Sequence, residues 1–99
     1  MISDSEIECI IKKNKHVILK FTADWCGECK KYESFIDNIT INSEIITIVE
    51  IDYDLNSDLV EEYEISKLPT LIYYKNNNLI KTIPKFLTKS ELIRELEEI

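Results

Sequence analysis

The feature that most constrains this 99-residue chain is a pair of apolar segments with a helical pattern between them. Val17-Ile18-Leu19-Lys20-Phe21 is apolar at nearly every position, as in a strand covered on both faces, and only Lys20 interrupts it. Cys29, Tyr32, Phe35, Ile36 and Ile39 then recur at helical spacing, which predicts a helix from just after Cys26 to about Ile39. Ile45-Ile46-Thr47-Ile48-Val49-Glu50-Ile51 is a second strand, rich in β-branched residues. Strand, helix and strand in that order make a βαβ unit, so the two strands are expected to be parallel with a right-handed crossover. Where the first strand gives way to the helix stands Trp25-Cys26-Gly27-Glu28-Cys29, a Cys-x-x-Cys. Two thiols at that spacing can close a small disulfide ring or hold a metal. The first would lie at the positive end of a helix dipole, where unpaired amides favour thiolate over thiol.

The flanking chain is marked by its own stop and start signals. Ser3-Asp4-Ser5-Glu6 has the spacing of a capping box, with Ile2 and Ile7 as its hydrophobic staple. Ile7, Ile10 and Ile11 then form a helical stripe that closes at Lys12-Lys13-Asn14-Lys15; Cys9 lies opposite it as a surface thiol. Asn56 or Ser57 can cap a short helix carrying Leu59, Val60 and Tyr63. Leu68-Pro69-Thr70 introduces a third strand, Leu71-Ile72-Tyr73-Tyr74. Asn76-Asn77-Asn78 supplies turn chemistry, and Leu79 to Ile83 returns as a fourth strand. Thr88-Lys89-Ser90-Glu91, with Leu87 and Leu92 as staple, opens a last helix with Leu92, Ile93, Leu96 and Ile99 inward. The reading is αβαβαββα, an α/β domain over residues 1–99 with one layer of sheet covered by helices.

Composition narrows the function classes. With 44% apolar and 31% charged residues, the chain can bury a core without metal or disulfide staples. No apolar run approaches the roughly 20 residues a membrane-spanning helix needs. Met1-Ile2-Ser3-Asp4-Ser5-Glu6 lacks the regions of a secretory signal, so a cytoplasmic protein is expected. Three cysteines, an odd number, do not suit a disulfide framework, and in a reducing compartment the pair reads as redox-active or metal-binding. One Cys-x-x-Cys supplies two ligands, and Cys9 and His16 are not placed to complete a mononuclear site, so a metal would have to be shared across a dimer. The expectation is no metal and no cofactor. A net charge of −7 argues against nucleic acid and anionic membranes as partners.

This order of elements, with Trp25-Cys26-Gly27-Glu28-Cys29-Lys30 early and Leu68-Pro69-Thr70 before the hairpin, resembles thioredoxin. The resemblance runs from about Ser3 to Ile99 and lacks the extra N-terminal strand of longer relatives. It implies a thioredoxin-like fold: a four-stranded mixed sheet flanked by helices on both faces, ordered second-first-third-fourth, with the hairpin strands antiparallel to the first two. It also implies a thiol-disulfide oxidoreductase, first of all a protein disulfide reductase, in which Cys26 attacks a substrate disulfide and Cys29 resolves the mixed disulfide. Pro69 would be a cis-proline facing the sulfurs and would shape a substrate groove with Leu68, Trp25, Gly27 and Glu28. The implied partners are disulfide-containing proteins and a thioredoxin reductase or equivalent, acting on a monomer. An oxidase or isomerase, or a binding module without its own reductase, are the alternatives.

Four departures from the family pattern bear on tuning. Gly27-Glu28 replaces the usual Gly-Pro, and its anion opposes the pull of Lys30 and Lys31 on a thiolate. Ser34 stands where many relatives have a helix-kinking proline, which predicts a straighter helix. Lys85 replaces a glycine of the docking surface. Lys20 and Glu50 occupy the places of a buried aspartate and its lysine, with the charges exchanged. The expectation is an inverted ion pair under the active-site helix, with Glu50, or a water on it, moving the proton of Cys29.

Overall fold

The computed structural model describes residues 2–98. Helix α1 (Asp4–Lys13) starts on the expected capping box: Glu6 N–H donates to the Ser3 hydroxyl and Ser3 N–H to the Glu6 carboxylate, each at 3.2 Å. It turns Ile7 and Ile11 into the core and leaves Cys9 exposed. Strand β1 (His16–Thr22) is buried at every position. The reason is topological, because β1 lies inside a sheet whose strands are ordered β4 (Thr47–Asp52), β1, β5 (Thr70–Lys75) and β6 (Asn78–Ile83), and both of its faces are covered. Strand β4 pairs with it in parallel, as the βαβ reading requires, and β5 pairs antiparallel on the other side.

Alternation along β1 divides the core in two. Val17, Leu19 and Phe21 pack with Ile7 and Ile11 of α1 and Leu59 of α3 (Ser57–Glu62). Ile18 packs on the opposite face with Tyr32 of α2 (Gly27–Tyr32) and with Leu92 and Leu96 of α4 (Lys89–Glu97). Lys20 shares the Ile18 face. Each fully buried Ile or Leu stabilises by about 1.5–3 kcal/mol, whereas a helix cap contributes typically about 1 kcal/mol. The apolar faces therefore hold the helices in place and the caps set where they begin.

Several expectations need correction. The hairpin strands do not both oppose β1: β6 (Asn78–Ile83) is antiparallel to β5 and so runs in the direction of β1. Each tight hairpin reverses the chain once, so alternate strands agree. Asn76 and Asn77 make that turn with φ of 51° and 68°, the left-handed region that asparagine tolerates.

The second helix ends at Tyr32 and is followed by a separate 3-10 turn, Ile36–Asn38, in place of one helix to Ile39. Glu33 and Phe35 N–H groups reach back to the carbonyls of Lys30 and Tyr32, and the Ser34 hydroxyl donates to the Lys31 carbonyl at 3.0 Å. These three-residue bonds tighten and end the helix. Ser34 thus does not give a straighter helix. Ile36 and Ile39 are buried all the same, so their spacing registered burial without helical continuity.

Ile45 belongs to a small hairpin, β2 (Thr40–Ile41) with β3 (Glu44–Ile45), and not to the second main strand, which starts at Thr47. Asn56 sits at the α3 N-cap position, but its amide donates to the Asp52 carbonyl at 2.9 Å and caps nothing. The second capping box, Thr88 with Glu91, forms as expected. The inward placement of Ile99 falls outside the described residues. Among the described residues no helix is long and apolar enough to cross a membrane.

Candidate active site

The site is assembled where β1 ends. After Thr22 the chain turns, with Cys26 N–H donating to the Ala23 carbonyl at 3.1 Å. That turn makes Cys26 the N-cap of α2, and its sulfur accepts the Cys29 N–H at 3.2 Å. An extended Cys26 followed by a helical Cys29 brings the two sulfurs together as a disulfide, with Cα atoms 5.3 Å apart, inside the usual range for such a bond. The two are not equivalent: Cys26 keeps 8% of its surface exposed and Cys29 none. Ala23 completes the buried cluster, with Tyr53 and Leu68 packed against it.

The residue before the expected cis-proline, Leu68, packs against this cluster. The Leu68–Pro69 peptide bond is cis, as the resemblance implies, and Pro69 is buried. Trp25, next to Cys26 in the chain, is 66% exposed and makes two contacts. Its indole N–H donates to Asp54 Oδ2 at 2.8 Å, and its ring meets Tyr53 edge-on at 6.3 Å. Asp54 is itself fixed, because Asp52 Oδ1 accepts the N–H groups of Asp54 and Leu55 at 2.9 and 3.1 Å. Tyr53 and Asp54 escaped the sequence reading. The available signal was Asp52-Tyr53-Asp54 directly after a strand, the pattern of an aspartate that bonds the backbone two residues on.

Gly27 and Glu28 lie on the exposed side of α2. A Cβ on Gly27 would meet no atom within 4 Å, so packing does not demand glycine there. The Glu28 carboxylate is 4.0 Å from the Lys31 ammonium, a solvent-facing pair that contributes little to stability.

Lys20 and Glu50 are direct neighbours in the β1–β4 register, with Nζ and Oε2 3.6 Å apart. The inverted pair therefore exists, but unequally: the Lys20 side chain is 1% exposed and that of Glu50 62%. Strand β1 is central and β4 is an edge, so the sheet encloses the lysine and leaves the glutamate open to water. His16 stands at the other end of β1, its ring nitrogens bonded to Tyr73 and Glu44. Among the described residues no three His, Cys, Asp or Glu side chains gather as a metal site.

The thioredoxin family model matches residues 1–98. The chain belongs to the thioredoxin family. It is 30% identical to the thioredoxin of Mycoplasmoides gallisepticum over 89% of this chain and 88% of that protein. A bifunctional thioredoxin reductase/thioredoxin of Mycobacterium leprae is 28% identical over 91% of this chain, which spans 20% of that protein. Among solved structures, a Plasmodium falciparum thioredoxin superposes with TM-score 0.79 at 29% identity, covering 96% of this chain and 95% of the other. The oxidised mitochondrial thioredoxin 3 of Saccharomyces cerevisiae gives 0.81 at 25% identity, covering 96% and 89%. This thioredoxin-family chain is a thiol-disulfide oxidoreductase acting on protein disulfides, and the Cys26–Cys29 pair stands at disulfide distance.

Proposed function

We propose that this oxidoreductase works as a monomeric, cytoplasmic protein disulfide reductase, residues 1–99 forming one domain, with Cys26 as nucleophile and Cys29 as resolving thiol. The observation that carries the assignment is the unequal burial of the two sulfurs, since only Cys26 has surface that a substrate can reach. In the reduced protein the Cys26 thiolate attacks one sulfur of a substrate disulfide. The substrate S–S bond breaks, its departing sulfur takes up a proton, and a mixed disulfide remains. Cys29, deprotonated, then attacks the Cys26 sulfur, the second substrate thiol leaves, and the protein holds the disulfide. Two electrons from a reductase partner restore the dithiol. The Mycobacterium leprae relative, a bifunctional thioredoxin reductase/thioredoxin, supports a partner of that kind.

The backbone before Pro69 pairs with an extended substrate segment, and Leu68, Trp25, Gly27 and Glu28 line its path. Glu50, open to water and 3.6 Å from Lys20, takes the Cys29 proton directly or through a water. A cytoplasmic setting suits a protein with an exposed free thiol at Cys9.

The direction of the reaction is tested by redox titration and by trapping. A potential between roughly −270 and −200 mV supports a reductase, and one near about −120 mV would make the protein an oxidase instead. Cys29→Ser should accumulate mixed disulfides on Cys26 with client proteins. Adducts that persist in a Cys26→Ser variant would overturn the assignment of roles.

A further inference from the structure

Helix α2 ends on a residue that the sulfur chemistry does not use. Tyr32 lies one turn beyond Cys29 and is fully buried, yet it carries a hydroxyl. That hydroxyl donates to the Lys85 carbonyl at 2.9 Å and accepts the Leu87 N–H at 2.9 Å, so both of its capacities go to one short segment. Residues 84–87 form the strap between β6, which ends at Ile83, and α4, which begins at Lys89. Among the described residues, the hydrogen bonds made by the strap's backbone both run to Tyr32. The rings add to the attachment: Phe86 lies 4.8 Å from the Tyr32 ring, centre to centre, and the Lys31 ammonium sits 5.7 Å over Phe86. Burial pushes the phenol's pKa up to about 12, so the donor to Lys85 keeps its proton at any working pH.

The sheet register places the strap beside the site. Leu71 of β5 is opposite Ile83 of β6. Continued past that pair, the two strands lead to Thr70 and Pro69 on one side and to Pro84 and Lys85 on the other. That continuation carries the strap toward the cis-proline segment, whose Leu68 packs against the Ala23, Cys26 and Cys29 cluster. We propose that Tyr32 is a positioning residue through which the redox helix fixes this strap as one wall of the substrate groove. The phenol governs how an extended protein disulfide docks and takes no part in sulfur exchange. This rests on the reductase reading above.

The decisive variant is Tyr32→Phe, which keeps the ring and leaves the Lys85 carbonyl and Leu87 N–H without their partner. Single-turnover reactions of the pre-reduced protein avoid any contribution from a reductase's own docking. With insulin as an extended protein disulfide, the half-saturating concentration should rise about three- to tenfold while the maximal rate changes less than about twofold. With hydroxyethyl disulfide, too small to span the groove, the rate constant should stay within about twofold. By NMR, exchange of the Leu87 amide should accelerate at least about tenfold while that of Leu19 does not. Phe86→Ala, which loosens the strap from the other side, should reproduce the insulin-specific change.

An unchanged half-saturating insulin concentration in both variants overturns the proposal, as does an equal loss with the two disulfides, which would place the phenol in the chemistry. A wild type that reduces neither disulfide overturns the reductase reading and the docking role with it, whatever Leu87 does.

Discussion

Strand β1 carries a polar cluster at each end, and the two are built on opposite principles. At its start, His16 is buried with both ring nitrogens engaged, Nδ1 with the Tyr73 hydroxyl at 2.7 Å and Nε2 with Glu44 at 3.0 Å. Lys15 then donates to both Glu44 oxygens at 2.9 Å. The buried members, His16 and Tyr73, both have partners, and the half-exposed Glu44 and Lys15 close the cluster toward water, which is how a polar network stabilises a fold. At its finish, the Cys26 sulfur accepts one backbone N–H at 3.2 Å, and the enclosed Lys20 has a partner that is mostly in water. Trp25 presents two thirds of its surface to solvent. The buried part of the first end is saturated, with both His16 ring nitrogens and the Tyr73 hydroxyl engaged. The second presents Trp25 and Glu50 to water and keeps an edge of Cys26 at the surface, where a substrate can reach it.

That contrast can be broken from either end. The largest effect belongs to Cys26→Ser, which should lower insulin reduction by about three orders of magnitude or more. The His16 cluster should be untouched, and a change in the Tyr73 and His16 NMR signals comparable to that at the site would contradict the separation of the two ends. Next comes His16→Ala. It strands the Tyr73 hydroxyl, removes the Glu44 partner and should cost about 2–3 kcal/mol in urea unfolding. Reduction of hydroxyethyl disulfide should stay within about twofold of the parent.

Glu44 gives the comparison a pH signature. Hydrogen bonds first from His16 and then from Lys15 hold its carboxyl below the ordinary value of 4.5. A depressed pKa means stability that is present above the unfolded value and lost as pH falls through the folded one. The difference in urea midpoint between wild type and Glu44→Gln should therefore be steady at neutral pH and shrink as pH drops below 4.5. A gap that stays constant down to the acid limb would remove the carboxylate from the account.

The smallest effect is expected for Glu50→Gln. It should slow reduction at neutral pH about two- to fivefold, within the range of an assisting proton acceptor reached through water. A pH-rate profile identical to wild type would leave Glu50 with no part in moving the Cys29 proton.

How much of this was legible depended on range. The Cys26–Cys29 pair could be read because its geometry is local: a cap, a first helical turn and two thiols three residues apart. The capping boxes at Ser3 and Thr88 were legible for the same reason. The cis form of Leu68–Pro69 came from resemblance, since spacing alone distinguishes no isomer. The early end of α2 was not legible, because Phe35, Ile36 and Ile39 keep an apolar rhythm that a buried non-helical segment satisfies equally well.

By itself, then, the sequence determined the order of the four helices and the four strands of the main sheet, the parallel β1–β4 pair and the two sulfurs at a helix start. These follow from periodicity, propensity and caps, which act over a few residues. Only the tertiary structure decided what those elements touch. Trp25 meets Asp54 across 29 residues of chain, and Tyr32 meets Lys85 across 53. Lys20 is enclosed and Glu50 open because one lies on a central strand and the other on an edge. Such contacts depend on register and on which strand is covered, and no short stretch of residues carries that information.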